Sequence, residues 1–144
     1  MNQEFKQCLE SGKITSFPKG KKLVEKELSV ARSDLLDAKT GYENGRYKWS
    51  TIQAYYAMFH AARALIYSRG YREKSHYCLL IALRALFIEE GKLNAQTGRD
   101  FLNAMNLRET ADYQSEFSKS GAKAVITSAE KFVEKAMAII DSKG

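Results

Sequence analysis

Apolar positions recur along this chain at helical spacing, and nowhere do they alternate long enough to predict a strand. Residues 3–11 place Phe5, Cys8 and Leu9 on one face, which Gly12 can end. From about 20 to 43, Val24, Leu28, Ala31, Leu35, Ala38 and Tyr42 follow steps of four and three, an amphipathic helix bracketed by Gly41 and Gly45. From about 47 to 68 the pattern changes. Trp49, Ile52, Tyr56, Phe59 and Ile66 form one apolar line, Tyr55, Met58, Ala62 and Leu65 a second, and Ala54, Ala57, Ala61 and Ala64 a small-residue face. A helix apolar on most sides is either central in its domain or buried against a second subunit. Gly70 breaks it.

A third main helix is expected over about 75–90, capped by Ser75, with the run Leu79 to Ile88 buried and Gly91 just past its end. A fourth covers about 95–113 with Phe101, Leu102, Ala104, Met105 and Ala111. A fifth, about 119–141, lines Ala122, Val125, Ile126, Ala129, Phe132, Val133, Ala136 and Ile140 on one side. Short connections between long helices favour antiparallel neighbours. The expected architecture is all-α: an up-and-down antiparallel bundle of four to five main helices with a short N-terminal helix. Residues 1–17 read as an N-terminal extension, and residues 18–144 as the bundle.

Composition narrows the class without naming a function. One proline and nine glycines in 144 residues argue against a turn-rich all-β fold, and 44% apolar residues against disorder. The sequence has neither an apolar run of about 18 residues nor a basic-then-apolar leader, so no membrane span and a cytoplasmic location are expected. Cys8 and Cys78 lie far apart and form no CxxC pair. In a cytoplasmic chain they are expected to be two reduced thiols.

The net charge of +6 is unevenly placed. The excess sits in residues 1–72. No carboxylate occurs between Glu43 and Glu73, an interval that holds Arg46, Lys48, Arg63, Arg69 and Arg72. Such a stretch suits a phosphate-facing surface, because nearby acids would cancel its field. It equally suits a solvated rim.

Common catalytic signatures are absent. There is no phosphate-binding glycine loop, no dinucleotide fingerprint and no HExxH, and His60 and His76 are the only histidines. No bundle metal site and no cofactor are expected. Two polar features fall where apolar residues belong. Gln53, Tyr56, His60 and Arg63 share one face of the second main helix. They form either a conduit for a phosphate or base, or an internal hydrogen-bond network. Arg108 lies on the apolar line from Phe101 through Ala104 to Ala111. Either it pairs with Asp112 one turn on, with Tyr113 closing the helix, or it turns inward to hold a phosphate beside Tyr113. His76 opens the third helix beside Arg69, Arg72 and Lys74, where an anion would be welcome.

Three segments together resemble the HEPN (higher eukaryotes and prokaryotes nucleotide-binding) domain family, stand-alone prokaryotic type. They are Tyr55-Tyr56-Ala57-Met58-Phe59-His60-Ala61-Ala62-Arg63-Ala64-Leu65, Gly70-Tyr71-Arg72-Glu73-Lys74-Ser75-His76 and Leu107-Arg108-Glu109-Thr110-Ala111-Asp112-Tyr113. The resemblance implies a helical bundle, often a two-fold homodimer. It also implies a separate minimal nucleotidyltransferase as partner chain, in a toxin–antitoxin-like pair. Many members are metal-independent ribonucleases whose motif is an arginine, four to six residues, then a histidine. The histidine moves a proton during attack by a 2′-hydroxyl, and the arginine stabilises the phosphorane. Here Arg108 matches the arginine, but Tyr113 stands at the histidine's place and no histidine follows.

Three functions are therefore expected as alternatives. The first is a nucleotide- or RNA-binding module using Arg63, Arg72, His76, Arg108, Asp112 and Tyr113. The second is a metal-independent ribonuclease toxin, with Arg108, Tyr113 and His76 as catalytic candidates. The third is a structural dimerisation domain without a ligand.

Overall fold

The computed structural model describes residues 2–142. It is an all-α bundle built of α1 (Gln3–Glu10), α2 (Val24–Glu43), α3 (Tyr47–Ser68), α4 (His76–Leu83), α5 (Ala95–Gln114) and α6 (Lys119–Asp141). Helix α3 is central and packs against α2, α4, α5 and α6. Its alanine face explains the close approach of its neighbours: Ala54, Ala57, Ala61 and Ala64 are all fully buried. Trp49, at the start of the same helix, is instead 54% exposed, although Ser50 and Thr51 beside it are buried. Among the described residues no helix is long and apolar enough to cross a membrane.

The helix ends follow local chemistry. Ser75 Oγ accepts from Cys78 N–H, Asn94 Oδ1 from Thr97 N–H and Ser118 Oγ from Gly121 N–H, so α4, α5 and α6 start on side-chain caps, whereas α2 and α3 do not. Helix α3 stops where Gly70 takes a φ of +81°, a conformation that costs glycine nothing.

Four local expectations are corrected. A two-stranded antiparallel sheet exists: β1 (Ile14–Ser16) pairs with β2 (Tyr71–Glu73). Three residues per strand are too few to display an alternating pattern, so the sequence could not signal it. The helix expected over 75–90 runs as α4 only to Leu83 and continues as a π-helical turn, Arg84–Ile88, in which Glu89 N–H donates to the Arg84 carbonyl. The segment from 18 begins with a 3₁₀ turn, Pro18–Leu23, before α2. Finally, Cys8 and Cys78 are joined by a disulfide, with Cα atoms 5.9 Å apart. Packing of α1 against α4 brings the two buried thiols together across 70 residues of sequence, which spacing could not reveal. The N-terminal segment is thus part of the core, with Phe5, Cys8 and Ile14 in the same apolar cluster as α3 and α4.

Candidate nucleotide or RNA site

The polar line on α3 splits into parts with different fates. His60 Nδ1–H donates to Glu27 Oε1 at 2.8 Å, and its Nε2 lies 3.8 Å from Asp34 Oδ2. Burial holds the Asp34 carboxyl above its ordinary range, against the pull of His60. Arg63 grips Glu73 through two nitrogens, at 2.7 and 3.4 Å, and its third terminal contact reaches Glu27 at 3.8 Å. Glu73 is inward-facing on β2 and 5% exposed. Burial opposes the Arg63 charge, but Glu73 outweighs it and keeps the guanidinium firmly protonated. His60 and Arg63 are therefore engaged by carboxylates from α2 and β2. Gln53, at the other end of the line, borders a surface cleft with Asp37, Arg46 and Trp49.

The second cluster is assembled from three helices. Tyr55 on α3 is fully buried, and its hydroxyl oxygen lies 2.6 Å from His76 Nδ1 at the start of α4. Arg108 on α5 places its guanidinium carbon 5.4 Å from the Tyr55 ring, 5.6 Å from Tyr56 and 5.7 Å from Tyr113. Such stacking suits a cation over π faces. Phe59 packs between the two clusters: its ring is 4.8 Å from the His76 ring and 4.6 Å from the Arg63 guanidinium.

The electrostatics of this cluster favour a neutral histidine beside a fixed cation. Burial, reinforced by the Arg108 charge, pushes His76 below its ordinary value of 6.5. Burial also pushes the Tyr55 phenol well above its ordinary range, partly offset by Arg108, so Tyr55 stays protonated. Burial opposes charge on Arg108 too, but Tyr56, Tyr113 and Tyr55 outweigh it, and the guanidinium stays charged.

Arg108 is 4% exposed and is held by Tyr113 and Asp112, but not at every donor. A guanidinium has five N–H donors. The nearest carboxylate, Asp112 Oδ2, stands 3.6 Å from one terminal nitrogen, beyond good hydrogen-bond range, and Nε has no partner. Tyr113, which is 75% exposed, covers the solvent side.

The structure thus gathers Arg108, His76, Tyr56, Asp112 and Tyr113 around one point. It leaves Arg63 one ring away, occupied by Glu73. Arg72 is turned out of the cluster onto the outer face of the small sheet, with its guanidinium 5.1 Å from the Phe17 ring. Sequence reasoning overlooked Tyr55, Glu27 and Glu73. Glu27 carried a usable signal, since it sits three residues after Val24 on the buried stripe of α2. Tyr55 carried none, because an aromatic on an apolar line reads as core. Among the described residues no group of three or more His, Cys, Asp or Glu side chains is placed to hold a metal ion.

Comparison with known proteins identifies a family for the bundle. The HEPN domain model matches residues 24–140. A Methanocaldococcus jannaschii protein named "Putative toxin" is 32% identical over 75% of this chain and 81% of its own length. UPF0332 proteins of Thermotoga maritima and Archaeoglobus fulgidus are 31% and 36% identical, each over 78% of this chain and over 87% and 92% of their own lengths. With the family model spanning α2 through α6, the chain belongs to the HEPN domain family.

Proposed function

We propose that this protein binds the phosphates of a nucleotide or RNA at Arg108, and that it acts as a homodimer with a separate minimal nucleotidyltransferase in a toxin–antitoxin-like pair. The observation that carries the reading is the buried Arg108 guanidinium with an unpartnered Nε. A buried donor left unsatisfied costs roughly 1–3 kcal/mol. A phosphate accepting from Nε and a terminal nitrogen would recover that cost through a bidentate, charge-assisted pair. His76 and the Tyr113 hydroxyl border the same point, and the exposed Tyr113 ring offers a face on which a base can stack. Family membership supports the nucleotidyltransferase partner, and relatives named as toxins support the pairing.

Calorimetry with ATP, GTP and a short RNA tests the binding. The wild-type chain is expected to bind at least one of them, and Arg108→Gln to lose at least about tenfold in affinity. No binding at millimolar ligand, together with no nucleotidyltransferase in pull-downs, would leave a dimerisation domain as the better account.

A second reading is a metal-independent ribonuclease, and the Tyr55–His76 contact favours it. A histidine held neutral can take the proton of a 2′-hydroxyl while Arg108 neutralises the phosphorane. It requires RNA cleavage in EDTA that both His76→Ala and Arg108→Ala abolish. Cleavage unchanged in either variant removes that residue from the mechanism.

A further inference from the structure

The outer face of the two-stranded sheet carries cations without acids. The register pairs Ile14 with Glu73 and Thr15 with Arg72. The ladder runs one step further, where Lys74 N–H donates to the Lys13 carbonyl at 2.8 Å. Alternation turns Ile14 and Glu73 inward, where both are buried, and turns Lys13, Thr15, Arg72 and Lys74 outward. Lys13 and Lys74 therefore oppose each other directly, a like-charge pairing that destabilises a ladder.

The neighbouring 3₁₀ turn adds to this charge. Gly20 is pressed onto α3 so closely that a Cβ there would meet the Phe17 ring at 2.9 Å and Tyr67 Cβ at 3.1 Å. Its neighbours Lys19, Lys21 and Lys22 are exposed. Between Glu10 and Glu25 the chain has four lysines and no acid. Among the described residues, Lys13, Lys19, Lys21, Lys22, Arg72 and Lys74 have no carboxylate within ion-pair distance. Lys39, Arg69 and Arg108 each have one, and Arg63 has two.

We propose that this face is a docking surface for the phosphodiester backbone of RNA, bound without regard to base sequence. The proposal rests on the reading that the protein engages RNA. Cations spread along a strand face and an adjoining turn suit a repeating polyanion better than a single phosphate, which would meet only one or two of them. The Phe17 ring under Arg72 adds an aromatic of the kind on which unpaired bases stack. The surface also leads to the site: Lys74 is followed by the Ser75 cap and His76, so a strand lying on the sheet is delivered to the start of α4. The four lysines precede the region matched by the family model.

The test is fluorescence anisotropy with a labelled oligouridine of about 20 nucleotides, titrated over a range of salt. The variant combines Lys13→Gln, Lys21→Gln, Lys22→Gln and Lys74→Gln. It is expected to melt no lower than wild type and to weaken RNA binding at least about tenfold. The slope of log affinity against log salt should shrink by about 3, near 0.7 for each of the four lost contacts on a single strand. ATP binding by calorimetry should be unchanged. If the fourfold variant does not fold, Lys19→Gln with Lys22→Gln serves with the same readouts.

RNA affinity and salt slope equal to wild type in a folded variant overturn the proposal. So does loss of binding to phosphatidylserine vesicles, or to the partner chain, while RNA binding stays intact. Absence of RNA binding by the wild-type chain overturns it as well. Arg108→Gln separates the two readings: if it keeps both ATP and RNA affinity while the fourfold variant loses RNA, the Arg108 reading falls and the sheet surface stands.

Discussion

Arg63 lies against Phe59 and Arg108 against Tyr55 and Tyr56, and both are cations on helix faces that bury apolar residues. Arg63 is answered twice, by Glu73 and at longer range by Glu27, and the adjacent His60 is answered by Glu27 and Asp34. Arg108 is more deeply buried and less well served, with one distant carboxylate and an idle Nε. The first region ties α2, α3 and β2 together through closed ion pairs. The second is built from the same residue types but left incomplete. Folding alone would favour closing both. The unfinished one is therefore the better place to look for a ligand.

The sharpest way to break this contrast is to remove the acid from the closed side. Glu73→Gln leaves Arg63 without its main partner in a half-buried setting. It should cost about 3 kcal/mol of stability, measured by urea unfolding. Replacing both residues, Arg63→Met with Glu73→Leu, should recover most of that loss, because no uncompensated charge remains. A single-variant cost below about 0.5 kcal/mol would mean that the pair is exchanging with water and that the two regions do not differ in the way proposed.

The matching change on the open side should behave in the opposite manner. Arg108→Met removes a cation whose nearest carboxylate is distant and whose Nε has no partner, so stability should stay within about 1 kcal/mol of wild type or rise. Nucleotide or RNA affinity should meanwhile fall at least about tenfold. A destabilisation as large as that of Glu73→Gln would show that Arg108 is a structural cation.

A smaller effect reports on the coupling inside the open cluster. The Arg108 charge helps to hold His76 below its ordinary value, so Arg108→Met should move the His76 titration upward in an NMR pH series. The consequence for stability has a definite sign. In the unfolded chain the histidine takes its proton as pH falls through about 6.5, whereas in the folded protein it does so only at lower pH. Stability from the neutral histidine is full above about 6.5 and drains as pH falls through the folded value. The acid-side loss should shrink in Arg108→Met. An unchanged titration would place His76 outside the reach of Arg108.

How much of this was legible in the sequence depends on distance along the chain. Helix positions were, because Val24 to Tyr42 or Ala122 to Ile140 repeat a local period that only a helix satisfies. The inward turn of Arg108 was legible for the same reason, since its phase is fixed by Phe101, Ala104 and Ala111. The partners were not. Glu73 answers Arg63 from a three-residue strand, and Cys78 meets Cys8 through packing of α1 on α4; neither relation leaves a local trace. The acid-free interval from Glu43 to Glu73 was misleading in isolation, since Glu27, Glu73 and Glu90 close over two of its arginines from other elements. Tyr55 could not be separated from its apolar neighbours, because its role rests on one hydroxyl aimed at His76.

That hydroxyl supports the most delicate test of the comparison. Tyr55→Phe keeps the ring that packs under Arg108 and against Phe101, and deletes only the contact to His76 Nδ1. The expected stability cost is about 1 kcal/mol, the usual worth of one hydrogen bond. If the cluster is a working site, the functional loss should exceed what that cost implies. A freed His76 ring no longer has its Nδ1 partner fixed, and Nε2 is no longer held in one orientation. Activity or affinity should then drop several-fold at a temperature where the variant remains folded. An analogous deletion on the closed side, His60→Phe, removes its contacts with Glu27 and Asp34 and should cost stability without touching function. If both variants lose stability and neither loses binding, Tyr55 and His76 are simply core, and the difference between the two regions reduces to Arg108.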